Sequence, residues 1–393
     1  MTNLSHAMNL LFITDFTEQF AYRLLKGIME YAQETEPWMV FKMPAEYKRQ
    51  LGLEKVAEWA VEHDVDVVIG QFEPDEDVNI FGRRGIVALA QDYIVKFPHI
   101  PNITADYDGT GAMAAKRFLS RGFQNFGFVG YRGVCWSDER CEGYRAEVEA
   151  AGYSLHVYDR QEISSIWNFD MRSLSEWLLS LPKPVAIMAC DDNQGNILIQ
   201  ACNACGIKVP SEVAVLGVDN DEILCNMSVP SLSSINVDIE RGGYEAARMA
   251  TLMVSSSSYQ GSDIVMRPTN IVTRTSSNVF ATRDPAILKV LQYIGENIER
   301  RIDVPDVLSQ VPLSRRLLEQ RFRKETGTTI YQYITSLRMD RFAQLLMETN
   351  EPIADIAARL DEPDTKSISR RFLAVKGCTP SEFRRRELRK LGV

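Results

Sequence analysis

Several absences narrow what this sequence can be. No stretch approaches the roughly 18 apolar residues that span a bilayer, and the opening MTNLSHAMNLLFITDF lacks the basic segment that begins an export signal. A cytoplasmic protein with no membrane partner is the expectation. The seven cysteines are an odd count at no framework-like spacing, which argues against a disulfide-stapled scaffold and for a reducing compartment. Only four histidines are present, and CNAC at Cys202–Cys205 has no second pair to complete a tetrahedral site, so neither metal nor cofactor is expected. GxxxxGK[ST] and GxSxG are missing, and the glycines of GFVGYRG recur every three residues rather than at dinucleotide-binding spacing. No constellation argues for catalysis.

What is present divides into two parts. The net charge of the 393 residues is -9, yet Asp284–Val393 holds 20 Lys+Arg against 16 Asp+Glu, and the preceding part 24 against 37. Only the C-terminal part suits a polyanion. From residue 9 to 275, short apolar runs such as NLLFIT, DVDVVIG, GIVALAQD, NFGFVGY, PVAIMACD and EVAVLGVDND alternate with amphipathic helical stretches. That alternation predicts parallel sheets covered on both faces, and its length predicts two lobes. From Pro285 onward the sequence reads as short helices broken at Pro305, Pro312, Gly327, Pro352, Pro363, Gly377 and Pro380.

Two segments of the helical part share a pattern: a short helix, a turn and a cationic helix. SRRLLEQRFRKETG puts five cations between Ser314 and Lys324, with Ser314 placed to cap, Gly327 to stop, and Leu317, Leu318 and Phe322 on one face. TKSISRRFLAVKG repeats the theme, with Lys366, Arg370, Arg371 and Lys376 unopposed by any acid in that stretch. Between them TIYQYITSLRMDRFAQLLMETN predicts a rod of about 30 Å, near the ~34 Å between successive major-groove faces. Cation-rich helices are usually solvated faces; ordered motifs tip the balance here.

Those motifs, SRRLLEQRFRKETG, IADIA and FLAVKGCTPSEFR, resemble the AraC/XylS DNA-binding domain over about 100 residues. The resemblance implies base contacts from Arg316, Glu319 and Gln320, beside Arg315 and Arg323, and from Thr365, Lys366 and Arg370, beside Ser369. Asp361-Glu362 stands where that family has Gly-Phe, and Ile368 where it has an aromatic, which implies a looser second module. The first 280 residues resemble the LacI/GalR effector-binding domain, itself similar to type I periplasmic sugar-binding proteins. ITADYDGTGAMAAKRFLSRGFQNFGFVG, RCEGYRAEVEAAG, AIMACDDNQGNILIQACNACGIKVPSEVAVLGVDND and PSLSSINVDIERGGYEAARM carry that likeness.

The combined expectation is an α/β two-lobe periplasmic-binding-protein-like domain over 1–275, a linker over 276–284, and an all-α domain with two helix-turn-helix motifs over 285–393. Ligands of open α/β sheets sit beyond the carboxyl ends of strands, where Asp15 and Phe16, Gln91 and Asp92, Asp191 and Asp192, and Asp219 fall. The resemblance adds Arg140, three residues before the glycine of its motif, and supports Asp219; Trp136 offers an aromatic face to a sugar ring. Asp192 is equally suited to an N-cap, and Trp136 to a core position. Hinges are expected near Thr104–Asp106, Asn236–Asp238 and Asn270–Thr273. The resemblance implies a regulator of transcription, not an enzyme, that binds duplex DNA as a homodimer on two half-sites and responds to a small sugar, a pentose such as xylose. A regulator answering another metabolite, or an α/β enzyme with a helical partner-binding part, are the alternatives.

Overall fold

The computed structural model describes residues 7–17, 19–160, 170–256, 259–282, 284–349, 351–362 and 364–390. Pro363, expected to break a helix, lies outside them. In chain order the elements are β1 Met8–Thr14, α1 Gln19–Glu34, β2 Trp38–Pro44, α2 Ala45–Leu51, α3 Leu53–Glu62, β3 Val67–Gln71, α4 Asn79–Gly82, β4 Val87–Gln91 and β5 Asn102–Ala105. Next come α5 Tyr107–Leu119, β6 Phe126–Tyr131, α6 Cys135–Ala150, β7 Leu155–Arg160, α7 Met171–Ser180, β8 Val185–Ala189, α8 Asp192–Ala204, β9 Val213–Val218, α9 Glu222–Met227, β10 Ser233–Val237, α10 Ile239–Ser255, β11 Ile264–Met266 and β12 Pro268–Val272. The helical part holds α11 Pro285–Glu296, α12 Val304–Leu308, α13 Arg315–Thr326, α14 Ile330–Glu348, α15 Ile353–Arg359, α16 Thr365–Lys376 and α17 Pro380–Lys390.

The apolar runs form two six-stranded sheets, in the orders β11-β5-β4-β3-β1-β2 and β12-β10-β9-β8-β6-β7. Every pairing is parallel except β10 with β12. The central strands β1, β3, β8 and β9 are buried along nearly their whole length, as sheets covered on both faces require, while the edge strands β2, β11 and β12 are partly exposed. Each lobe has its own apolar core: Leu11, Val68 and Phe81 belong to one, and Ile187, Leu198 and Val215 to the other.

The chain passes between the lobes three times, after Ala105, at Asp238 and at Arg267. Backbone bonds tie the passages together: Asp106 N donates to Met266 O at 2.8 Å and Asp238 N to Arg267 O at 3.1 Å. The Arg267 N–H in turn donates to the Asp238 carboxylate. The first two hinges lie where the sequence placed them. The third is at Arg267 rather than Asn270–Thr273, because residues 268–272 already belong to β12 of the second lobe. The two-lobe unit ends at Val279, and Ser276 within it is buried, its hydroxyl donating to Val215 O at 2.7 Å.

The helical unit comprises Phe118–Gln124 and the chain from Phe280. Within it α12–α13 and α15–α16 are two helix-turn-helix motifs with separate cores, one around Leu318 and Phe322, the other around Phe342 and Phe372. Pro305 and Pro380 sit in first turns rather than breaking helices, since a first-turn proline gives up no intrahelical bond. The 19-residue α14 joins the motifs, capped by Thr329, whose hydroxyl accepts from Gln332 N at 3.2 Å. Midway along it, Arg338 is only 2% exposed. It donates to Ile298 O at 2.9 Å, to Arg300 O and Leu360 O, and to Glu362 Oε1 at 3.1 Å. One guanidinium thereby holds both motifs to the rod.

Arg338→Ala leaves three carbonyls without their donor and Glu362 with Arg371 alone, and is expected to destabilise the helical unit by about 3 kcal/mol. All five tryptophans precede residue 280. Chemical denaturation should therefore show an earlier loss of helical circular dichroism with an unmoved tryptophan transition. Movement of both together would contradict a role confined to the helical unit.

Candidate ligand cleft and nucleic-acid interface

The carboxyl ends of both sheets face a common cleft. Its cavity volume is about 100 Å³. The first lobe contributes Gln71, Gln91 and Asp92 from strand ends, and the second contributes Tyr107 from the start of α5 with Tyr131, Trp136, Arg140, Asp191, Asp192 and Asp219. Arg140, 4% exposed, is at its centre. Its guanidinium donates to Cys190 O at 2.5 Å and to Asp219 Oδ1 at 3.1 Å, and lies 5.2 Å from the Tyr107 ring and 5.4 Å from that of Trp136. Burial alone would favour losing its proton; the Asp219 carboxylate and neighbouring anions outweigh that and raise the pKa.

Two glycines set this geometry. A Cβ on Gly143 would lie 2.1 Å from Asp108 O, and one on Gly111 2.2 Å from Arg140 O. Hydrogen at both positions lets the backbones of α5 and α6 touch, which brings Tyr107 against Arg140. Asp219 has φ +91°, a conformation L-residues avoid. Arg23 holds it there by donating to Asp219 O at 2.7 Å and to Val237 O at 2.9 Å. Contacts between the lobes line the rim: Lys96 to Glu139 at 2.8 Å, Cys135 N to Ile94 O at 2.9 Å and Glu222 N to Gln19 Oε1 at 2.9 Å.

Of the residues expected at the ligand, Arg140, Trp136, Asp219, Asp191, Asp192, Gln91 and Asp92 line the cleft; Asp15 and Phe16 do not. Asp15 folds back to accept from the N–H and hydroxyl of Thr17, and Phe16 lies beside Phe12 and beneath the Lys42 ammonium. The turn they make brings Gln19 and Phe20 to the cleft instead. The cap of α8 is Asp191, extended at φ −147° and accepting from Gln194 N at 2.6 Å. Asp192 is already helical, so its carboxylate serves elsewhere: it accepts from Asp221 N at 2.7 Å, and burial pushes its pKa well up. Trp136 is half-buried at the cleft, not in a core. Gln71 was missed although it ends β3, where the strand-end rule applies. Tyr107 and Gln19 come to the cleft only through tertiary apposition, which leaves no local signal.

In the helical unit Ser314 caps α13, and Arg315, Arg316, Gln320 and Arg323 are exposed while Glu319 is half-buried. Leu317 is 42% exposed, not part of the core, because Leu318 and Phe322 define the inward line one residue later. On α16, capped by Asp364, Thr365, Lys366, Ser369 and Arg370 line a shallow open groove. Arg371 and Lys376 leave the cationic face, since acids outside the helix pair with them: Glu362 at 2.5 Å and Asp340 at 2.5 Å. Asp361 adopts φ +53°, the turn conformation a glycine would take. Glu362 is buried between Arg338 and Arg371, and Ile368 is fully buried, so the second motif closes its core with an ion pair.

Two family models match, a periplasmic binding protein-like domain over residues 115–277 and a helix-turn-helix domain over 308–386. The multiple antibiotic resistance protein MarA of Salmonella typhimurium is 33% identical over 98 residues, 25% of this chain and 77% of that one. The chain belongs to the DNA-binding transcription regulators with AraC-type helix-turn-helix motifs, here following a LacI-like sensor domain. Along nearly its full length it is similar to the xylose operon regulatory protein of Escherichia coli K12, 27% identical over 388 residues, 96% of this chain and 97% of that one. The solved structure of the xylose-binding transcription activator xylR shares the fold, with a TM-score of 0.59 at 24% identity over 97% of this chain and 98% of that one.

Asp219→Ala removes the carboxylate that offsets a buried guanidinium. The sensor is expected to lose about 3 kcal/mol, read as an earlier tryptophan fluorescence transition in denaturant, with Asp219→Leu no better. An unchanged midpoint would show that Arg140 is satisfied without it.

Proposed function

We propose that this protein is a sugar-responsive activator of pentose catabolic genes, with xylose its effector, working in the cytoplasm as a homodimer on two half-sites. The observation that carries the reading is Arg140: a buried guanidinium between two aromatic rings at the centre of the cleft, whose Nε–H has no partner among the described residues. A buried donor left unbonded costs roughly 1 to 3 kcal/mol, so the site favours a ligand oxygen there. Planar groups that bind adjacent hydroxyls, with an aromatic face for the C–H side of a ring, are what a sugar requires. The whole-length likeness to xylose operon regulatory proteins supports xylose.

On this reading the unit ending at Val279 senses the ligand and the unit from Phe280 reads DNA. Arg316 and Gln320 of α13 and Lys366 and Arg370 of α16 contact bases, with Arg315, Glu319, Arg323, Thr365 and Ser369 beside them. Nineteen residues of α14 span about 28 Å at 1.5 Å per residue, close to one turn of B-DNA. A second reading has one specific support: five carboxyl groups, Asp92, Asp191, Asp219, Asp221 and Asp192, the last held toward its neutral form by burial, line the cleft, and Arg140 is the single cation among its described lining residues. That balance would also suit a sugar bearing an amine.

Thermal-shift screening of the full chain against D-xylose, other pentoses, hexoses and glucosamine separates these readings. D-xylose is expected to raise the melting temperature of the sensor transition most. A shift only with glucosamine would replace xylose, and none with any sugar would end the sugar reading.

DNA affinity is expected to fall steeply with salt. Arg316→Ala and Arg370→Ala should each relax base preference, at positions about one turn apart, by roughly 1 to 3 kcal/mol. Selection from randomised duplexes checks this, and uniform weakening on all sequences would reduce either residue to a phosphate contact. Sugar should tighten binding to paired half-sites and hardly affect a single one, with a coupling of about 1 to 3 kcal/mol. Equal effects on both would remove the dimer from the mechanism.

A further inference from the structure

We propose that Tyr107 is a positioning residue that keeps Asp92 ionised and aimed into the cleft, so that one side chain links the hydroxyl-reading groups of both lobes. The identity of the ligand rests on the sugar reading above; the assignment of the residue rests on geometry.

Tyr107 opens α5, two residues beyond β5 and directly after the first passage between the lobes. Its hydroxyl lies 2.9 Å from each oxygen of Asp92, at the end of β4, and its ring lies against the Arg140 guanidinium of the second lobe. Both Tyr107 and Asp92 are buried, and both line the cleft. A phenylalanine would fill the same space and cover Arg140 equally well. The hydroxyl is therefore explained by its one acceptor, Asp92, because a buried O–H without a partner is costly.

Asp92 has few other means of keeping its charge. The groups facing it are Lys96 from the loop after β4, Thr104 from β5, Tyr107 from α5, and Arg140 and the Cys135 thiol from α6. Lys96 is bonded to Glu139, and Arg140 to Asp219. Burial pushes the Asp92 carboxyl up to about 6, while the hydrogen bond from Tyr107 and the nearby cations oppose the rise. Near pH 7 the group is thus mainly a carboxylate, an acceptor for sugar hydroxyls; as pH falls through about 6 it gains a proton and loses that capacity. Removing the phenol hydroxyl takes away a donor that favours the ionised form, so the transition moves upward in pH.

The test uses the full chain as wild type, Tyr107→Phe and Asp92→Asn. Without ligand, infrared difference spectra against Asp92→Asn isolate the Asp92 carboxyl band, whose midpoint should rise in Tyr107→Phe. With D-xylose, calorimetry should show Tyr107→Phe binding roughly tenfold more weakly near neutral pH, with affinity recovering as pH rises. Asp92→Asn should bind weakly without that pH dependence. An unchanged infrared midpoint in Tyr107→Phe, or an affinity loss equal at every pH, would overturn the proposal. If the wild type binds no sugar, the ligand reading fails separately, and the infrared titration still decides the role of Tyr107.

Discussion

The sensor is arranged around one demand, the burial of the Arg140 cation where two sheets end. A desolvated guanidinium needs an anion, acceptors along its edge and polarizable faces. Asp219, Cys190 O, the Tyr107 ring and, one turn back on its own helix, the Trp136 ring meet those needs. Meeting them imposes further structure. Asp219 must take a left-handed conformation, of a kind costing of order 1 to 3 kcal/mol, which Arg23 sustains by bonding its carbonyl. The helix bearing Arg140 must touch α5, which fixes glycine at 111 and 143.

The helical unit poses the same problem and answers it differently. Arg338 is as buried as Arg140, and burial lowers its pKa against the pull of Glu362. Three backbone carbonyls and a carboxylate satisfy it. It lines neither the ligand cleft nor the α16 groove, so its role is structural. Arg140 keeps an unbonded N–H beside open volume. Burial of a charge does not by itself mark a site; a charge left partly unsatisfied beside a cavity does.

This difference also limits what sequence can tell. The runs at β1, β4, β8 and β9 were legible because parallel strands are continuously apolar, and residues just beyond them gave Gln91, Asp92, Asp191, Asp192 and Asp219. The rule failed at Asp15 and Phe16, where a side-chain-bonded turn redirects the chain before it reaches the cleft. It misplaced the third hinge because β11 has only three residues, too few for any period to register. Glu362, read as a departure that loosens the second motif, becomes a buried partner once Arg338 and Arg371 close on it. Tyr107 is invisible locally, since its partners Asp92 and Arg140 are 15 and 33 positions away.

The rim adds a last constraint on how the cleft works. Lys96 and Glu139 are about one-third exposed, and such pairs contribute only about 0 to 1 kcal/mol. With the bonds at Ile94 and Gln19 beside it, the rim supplies little net preference for the closed form. What decides closure is then the interior, where Arg140 and Asp92 stand on opposite lobes. A ligand that bonds both gains contacts only when the lobes meet, and a differential of a few kcal/mol suffices to shift such an equilibrium. Weak rim contacts are therefore part of the sensing: a rim strong enough to hold the cleft shut alone would leave the ligand nothing to change.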